Sequence, residues 1–201
     1  MGKIQAPSVP VSRDAPDSGR PLEWAQFCHA KLPSHRKVLI TGATGRLGRH
    51  VLAALLARRE KVRAVVLPGS RHSLPRGVER FEWDLSSAKL PAKALEGVDR
   101  VIHLAGLVGS HPASQLMLSN AVATRNLASP CPQHAIRKLV IASSISVYGE
   151  YAQQLVNEEF EPRAESPYGK SKLAAEQEAL AHRRGIPLAL LRFGMIYGPG
   201  F

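Results

Sequence analysis

Cysteine is scarce in this chain. Cys28 and Cys131 are the only two among 201 residues. They form no CxxC pair and have no ligand-spaced histidine partners, which argues against a disulfide framework and a zinc site, so no metal is expected. No uninterrupted apolar run reaches the roughly 18 residues that span a bilayer, so no membrane segment is expected. The N-terminus lacks the apolar core of a secretory signal, which makes the cytoplasm the expected location. Aromatics make up 5% of the residues, too few to interleave with the basic ones for base stacking. Acids are outnumbered too: 16 Asp and Glu face 27 Lys and Arg, a net charge of +11. The basic residues are scattered, and the pairs Arg58-Arg59 and Arg183-Arg184 fall at the ends of expected helices, where they complement the dipole. No nucleic-acid partner is expected. The excess reads instead as a solvated surface that draws in an anionic cofactor and a small-molecule substrate.

What is present is organised around Val38-Leu-Ile-Thr-Gly-Ala-Thr-Gly-Arg-Leu-Gly48. Val38 to Ile40 reads as a buried strand, and Gly42, Gly45 and Gly48 lead it into a helix with Leu47, Val51, Leu52, Leu55 and Leu56 on one stripe. Strand, glycine turn and helix form the setting in which such a motif binds a dinucleotide. The first glycine allows the turn, the second lets backbone approach a pyrophosphate, and the third lets helix and strand pack. The helix N-terminus then offers free N–H groups to phosphate. The spacing is GxxGxxG, a variant of GxGxxG, and alone it also suits an ordinary turn.

Further strands are expected at Lys61 to Leu67, Val78 to Trp83, Arg100 to Leu104, Lys138 to Ala142 and Pro187 to Arg192. Helices are expected at Ser86 to Leu95, at Pro112 to Ala128 and from Pro167, with Ser166 as N-cap and Gly185 past the end. Residues 1–36 are rich in proline and polar residues and read as a flexible tail, within which Leu22 to Leu32 is a candidate short helix. Residues 37–201 form the expected domain. Alternating strands and helices, with apolar runs in place of period-two patterns, predict an α/β fold: a doubly wound, Rossmann-like parallel sheet. The glycine turn, Asp84, Ala105, Ser144 and Phe193 all follow strand ends and should converge on one edge, where such sheets bind ligands.

At the end of the second strand, where an acid commonly meets the adenosine ribose, stand Leu67, Pro68 and Gly69, followed by Arg71. Arg71, helped by Arg46, fits a 2′-phosphate, and equally fits a solvated loop residue. The cofactor is therefore NAD or NADP, with a slight tilt towards NADP. Tyr168 and Lys172 stand four apart on one helix face. A cation that close should favour phenolate and make Tyr168 a usable acid/base, with Ser144 bonding the reacting substrate oxygen. In isolation, a Tyr-x-x-x-Lys pair is more often an exposed helix face.

Taken in order, these motifs resemble the extended short-chain dehydrogenase/reductase family, its NAD-dependent epimerase/dehydratase group. The matching pieces are Thr41-Gly-Ala-Thr-Gly-Arg-Leu-Gly48, Asp84-Leu85, His103-Leu-Ala-Gly106, Ser143-Ser144 with Val147-Tyr-Gly149, and Tyr168-Gly-Lys-Ser-Lys172. Asn120 with Thr124, and Arg192 to Gly200, resemble two further segments. The resemblance implies that Gly42, Gly45, Arg46, Leu47 and Gly48 form the pyrophosphate turn. It also implies that Asp84 and Leu85 bracket the adenine, and that Leu104, Ala105 and Gly106 line the cofactor's path. Ser144, Tyr168 and Lys172 become the catalytic set, with Lys172 also holding the nicotinamide ribose.

Three departures stand out: Arg46 where an aromatic is common, Gly106 where alanine is common, and the interruption Ser129-Pro-Cys-Pro-Gln-His134. Relatives continue beyond the Pro-Gly segment into a part that shapes the substrate pocket. The expectation is therefore a fragment or truncated product with that C-terminal substrate-binding part missing. The implied activity is NAD(P)-dependent oxidoreduction, epimerisation or dehydration at a hydroxyl or ketone, with a nucleotide sugar as the leading substrate class. The alternatives are an NADPH-dependent reductase of a non-sugar ketone and a non-catalytic dinucleotide-binding module. A homodimer built from two helices per subunit is a further implication, as is a soluble enzyme.

Overall fold

The computed structural model describes residues 36–149 and 155–198, so the expected tail and its candidate helix at Leu22 to Leu32 lie outside the described residues. Six parallel strands form one sheet: β1 Lys37–Thr41, β2 Lys61–Val66, β3 Val78–Glu82, β4 Val98–His103, β5 Lys138–Ser144 and β6 Leu188–Phe193. Their spatial order is β3-β2-β1-β4-β5-β6. The connections reverse direction between β1 and β4, the switch point at which such sheets open a crevice.

Both faces of the sheet are covered, which explains the continuous apolar runs. On one face α1, Arg46–Ala57, packs Leu52 with Val51, Leu55 and Leu56 against Ile40, Val62 and Ala64. On the other, Leu39, Val101 and Leu139 meet Leu90, Leu95 and Leu127. The last connection, α5, spans Pro167–His182, and its N-cap is Ser166, whose Oγ accepts from the Gly169 N–H at 3.0 Å.

Strand bounds fall within two residues of expectation, and the largest differences are the start of β4, at Val98 instead of Arg100, and the end of β5, at Ser144 instead of Ala142. The helix expected over Ser86 to Leu95 shrinks to a single turn, α2 Ala92–Leu95. Two local causes are visible. Asp84 accepts from the Ser86 N–H and from the Ser86 and Ser87 hydroxyls, which fixes a turn there. Pro91 then removes an N–H and keeps the preceding residue out of helix.

The expected helix from Pro112 does run to Ala128, but in three joined pieces: α3 Ala113–Leu116, a π-helical turn Met117–Val122, and α4 Ala123–Ala128. Leu116, Asn120, Thr124 and Leu127 are all buried, as their shared face requires. Arg58 and Arg183 sit at the C-caps of α1 and α5, where a cation offsets the dipole. β6 is an edge strand, and Leu191 on it and Met195 and Tyr197 after it are exposed.

Candidate active site

Everything expected at the strand ends comes together. Gly42 follows β1 with φ +68, a left-handed turn; a Cβ there would stand 2.6 Å from the Ala105 nitrogen at the end of β4. Gly48 is tighter still: a Cβ would lie 1.9 Å from the Gly42 oxygen, so only glycine lets α1 start this close to the turn. The N-terminus of α1 carries no side-chain cap and no acid in its first turn. The uncapped end therefore leaves its amides and its dipole available to an anion. A dinucleotide pyrophosphate fits that end.

Two cavities meet over this turn, and both are lined by Gly42, Gly45, Leu104, Gly106 and Leu107. The first, of about 730 Å³, runs towards β2 and β3 and is lined by Arg71, Asp84, Leu85 and Ala105. Asp84 is its one acid among the described residues, and its carboxyl is held below the usual range by hydrogen bonds from Ser86 and Ser87. The second, of about 660 Å³, runs towards β5 and β6 and is lined by Arg46, Leu47, Gly48, Ser144, Tyr168 and Lys172. No acid lines it. Both volumes lie within the range of ligand pockets.

Tyr168 and Lys172 share the face of α5 that meets β5. The Lys172 ammonium is buried and donates to the Ala142 carbonyl at 2.5 Å. Burial pushes it down to about 8, against the raising influence of Glu176 one turn on. Tyr168 does not follow the expectation that Lys172 depresses its phenol. Burial raises it, and a hydrogen bond with Ser144 is what opposes the rise. The half-buried phenol loses hydration, and the Lys172 ammonium donates to the Ala142 carbonyl.

A second group fixes α5 from behind. Glu176 is buried, accepts from Ser143 Oγ at 2.5 Å, and takes Arg192 Nε and Nη2 at 3.0 and 2.8 Å. Arg192 Nη1 also reaches the Tyr148 hydroxyl at 2.5 Å. Glu176 did not emerge from the sequence; its only trace there is a position one helical turn after Lys172. Among the described residues no cluster of His, Cys, Asp or Glu is placed to hold a metal ion, and no helix is long and apolar enough to cross a membrane.

Residues 38–201 match the NAD-dependent epimerase/dehydratase family. The chain belongs to that family. One curated relative, the uncharacterized UDP-glucose epimerase YtcB of Bacillus subtilis, is 34% identical over 190 residues, which cover 81% of this chain and 57% of that protein. UDP-glucuronate 4-epimerase 1 of Arabidopsis thaliana is 34% identical over 209 residues, 89% of this chain and 47% of that one. Among solved structures, MoeE5 in complex with UDP-glucose and NAD superposes with a TM-score of 0.71 at 39% identity, over 82% of this chain and 56% of that chain. The chain thus spans about half the length of the relatives it matches. NAD is the dinucleotide those structures name, so they lend no support to the tilt towards NADP.

Proposed function

We propose that this chain forms the dinucleotide-binding and catalytic part of an NAD-dependent enzyme that oxidises, epimerises or dehydrates a nucleotide sugar. The observation that carries the reading is the shared cavity: Ser144, Tyr168 and Lys172 line the same space as the glycine turn. Pyrophosphate would lie on Gly42, Gly45 and the α1 N-terminus beside Arg46 and Leu47. Adenosine would lie between Asp84 and Leu85 near Arg71, and the nicotinamide ribose by Lys172, past Leu104, Ala105 and Gly106. The bound dinucleotide supplies hydride exchange. Tyr168, protonated at neutral pH, would give its proton to a substrate carbonyl oxygen as that carbon is reduced; in the oxidising direction its phenolate would take the substrate hydroxyl proton, and the Ser144 hydroxyl orients both. Lys172 keeps its charge at neutral pH and holds the backbone of β5 at Ala142.

The test is a titration with NADH and NADPH followed by fluorescence, together with turnover of UDP-glucose. Tyr168→Phe should abolish turnover and leave NADH affinity within about twofold, since a hydroxyl used only in the transition state contributes little to ground-state binding. Unchanged turnover removes Tyr168 from the mechanism. A ketone reductase is the second reading, favoured by 30% identity to the 2-alkyl-3-oxoalkanoate reductase of Stenotrophomonas maltophilia. Cofactor retained through gel filtration supports the epimerase, and cofactor lost supports the reductase. Self-association through α5 and its neighbour belongs to the same proposal, because Met117, Leu118 and Leu180 are exposed there; sedimentation tests it.

A further inference from the structure

A chain of buried polar side chains runs beneath the site, and the donor in each link can be worked out. Thr124 Oγ1 donates to the Asn120 carbonyl at 2.7 Å, so its proton is spent. His103 Nε2, 3.1 Å from that same oxygen, must therefore be the donor between them. A neutral imidazole then has Nδ1 as acceptor, and it takes the Thr41 hydroxyl at 2.7 Å. Thr41 Oγ1 in turn accepts the Ala105 N–H at 3.1 Å. Burial and the nearby Lys172 charge push the His103 ring down to about 3, consistent with one fixed neutral tautomer.

From Asn120 the chain continues outward. Its amide accepts from the Leu107 N–H at 2.9 Å and donates to the Leu107 carbonyl at 3.1 Å and to Ser171 Oγ at 2.9 Å. Ser171 Oγ donates to the Tyr168 carbonyl at 2.7 Å. Thr41, His103, Asn120, Thr124 and Ser171 are each no more than 2% exposed. The π-helical turn is where Asn120 sits, and a hydroxyl bonding back to the carbonyl four residues earlier accompanies such irregular helix. Gly106 completes the fit, since a Cβ there would stand 2.4 Å from Asn120 Oδ1.

We propose that His103 and Thr124 are positioning residues: through Asn120 and Ser171 they hold the Tyr168–Lys172 turn of α5 in fixed register with the glycine turn. The inference rests on the dinucleotide reading given above. The chain begins at Thr41, one residue before the glycine turn, and ends on the backbone of Tyr168, so it spans the two halves of the combined cavity. A ligand confined to the adenosine and diphosphate half does not need that register. A ligand that also reaches the Lys172 side does.

NADH and ADP are the probes that separate these cases, each titrated by calorimetry against the full chain. Thr124→Val removes the hydroxyl that joins His103 to Asn120. It should weaken NADH about tenfold, as expected for misplaced binding groups, and ADP less than twofold. Thr124→Ser, which keeps the hydroxyl, should restore the NADH value. Ser171→Ala cuts the last link with a smaller change and serves if Thr124→Val does not fold; its effect should be of the same kind, and in the double variant the two losses should not add. Equal weakening of both ligands, no weakening of NADH, additive losses or failure of Thr124→Ser to rescue would each overturn the proposal. If the unmodified chain binds ADP but not NADH, the dinucleotide reading fails by itself, and the positioning role falls with it.

Discussion

Arg192→Met tests whether the buried pair behind the site holds the domain together. The Glu176 side chain is 3% exposed and that of Arg192 19%, so the two partners face different fates when parted. In Arg192→Met the carboxylate stays buried with Ser143 as its remaining hydrogen-bond partner among the described residues and the Lys172 ammonium one turn away. Removing one partner of a buried pair costs about 3–5 kcal/mol. For a domain of this size each kcal/mol lowers the melting temperature by about 2–4 °C, so a fall of roughly 10 °C is expected. Glu176→Leu strands the more accessible guanidinium, which retains Tyr148, and should cost less, about 1–3 kcal/mol. The double variant should be more stable than Arg192→Met alone, because two apolar groups leave no orphaned charge. Urea unfolding at constant m-value measures all three. A loss below about 1 kcal/mol in Arg192→Met, or strict additivity in the double variant, would refute the argument.

Gly48→Ala should abolish NADH binding and cost at least about 2 kcal/mol, because its Cβ would collide with the Gly42 carbonyl at 1.9 Å and backbone must move; wild-type affinity in that variant would count against the turn as the pyrophosphate seat. Lys172 sets a pH dependence. Its folded value of about 8 lies below the ordinary 10.5, so between these pH values the unfolded chain binds more protons and stability rises with pH. The stability gap between wild type and Lys172→Met should therefore change by up to about 3 kcal/mol in favour of wild type from pH 7 to 10.5, read by urea unfolding at each pH; a flat difference would mean the ammonium is not buried. Arg71→Ala should leave NADH affinity within about twofold, since a surface charge near a ligand contributes little once salt screens it, and a large loss confined to NADPH would revive the 2′-phosphate role.

How much of this was legible in the chain depends on whether a residue acts alone or through others. A parallel sheet sends every β-strand's C-terminal end to one edge. Knowing that Gly42, Asp84, Ala105 and Ser144 follow strands is therefore enough to bring them together, and the two cavities are lined as that rule requires. Gly42 and Gly48 carry their steric reason with them. The helix expected over Ser86 to Leu95 shortens to a single turn because Asp84 with two serines, and Pro91, favour turns. For the Tyr168 phenol, four-residue spacing places Lys172 nearby but does not announce the burial that raises it or the Ala142 carbonyl that the ammonium meets.

The deeper gap concerns the connecting groups. Thr41, Thr124 and Ser171 are small polar residues, and nothing in their spacing announces a partner 21 to 64 residues away. What makes them legible afterwards is burial: an interior hydroxyl must find a partner or cost the fold. Each of these hydroxyls has two, and at least one of them lies on a different element. A motif order is thus enough to locate the reactive side chains. The distances that let them act together are fixed by interior polar groups whose roles exist only in three dimensions, and the affinity ratio between NADH and ADP is where that difference becomes measurable.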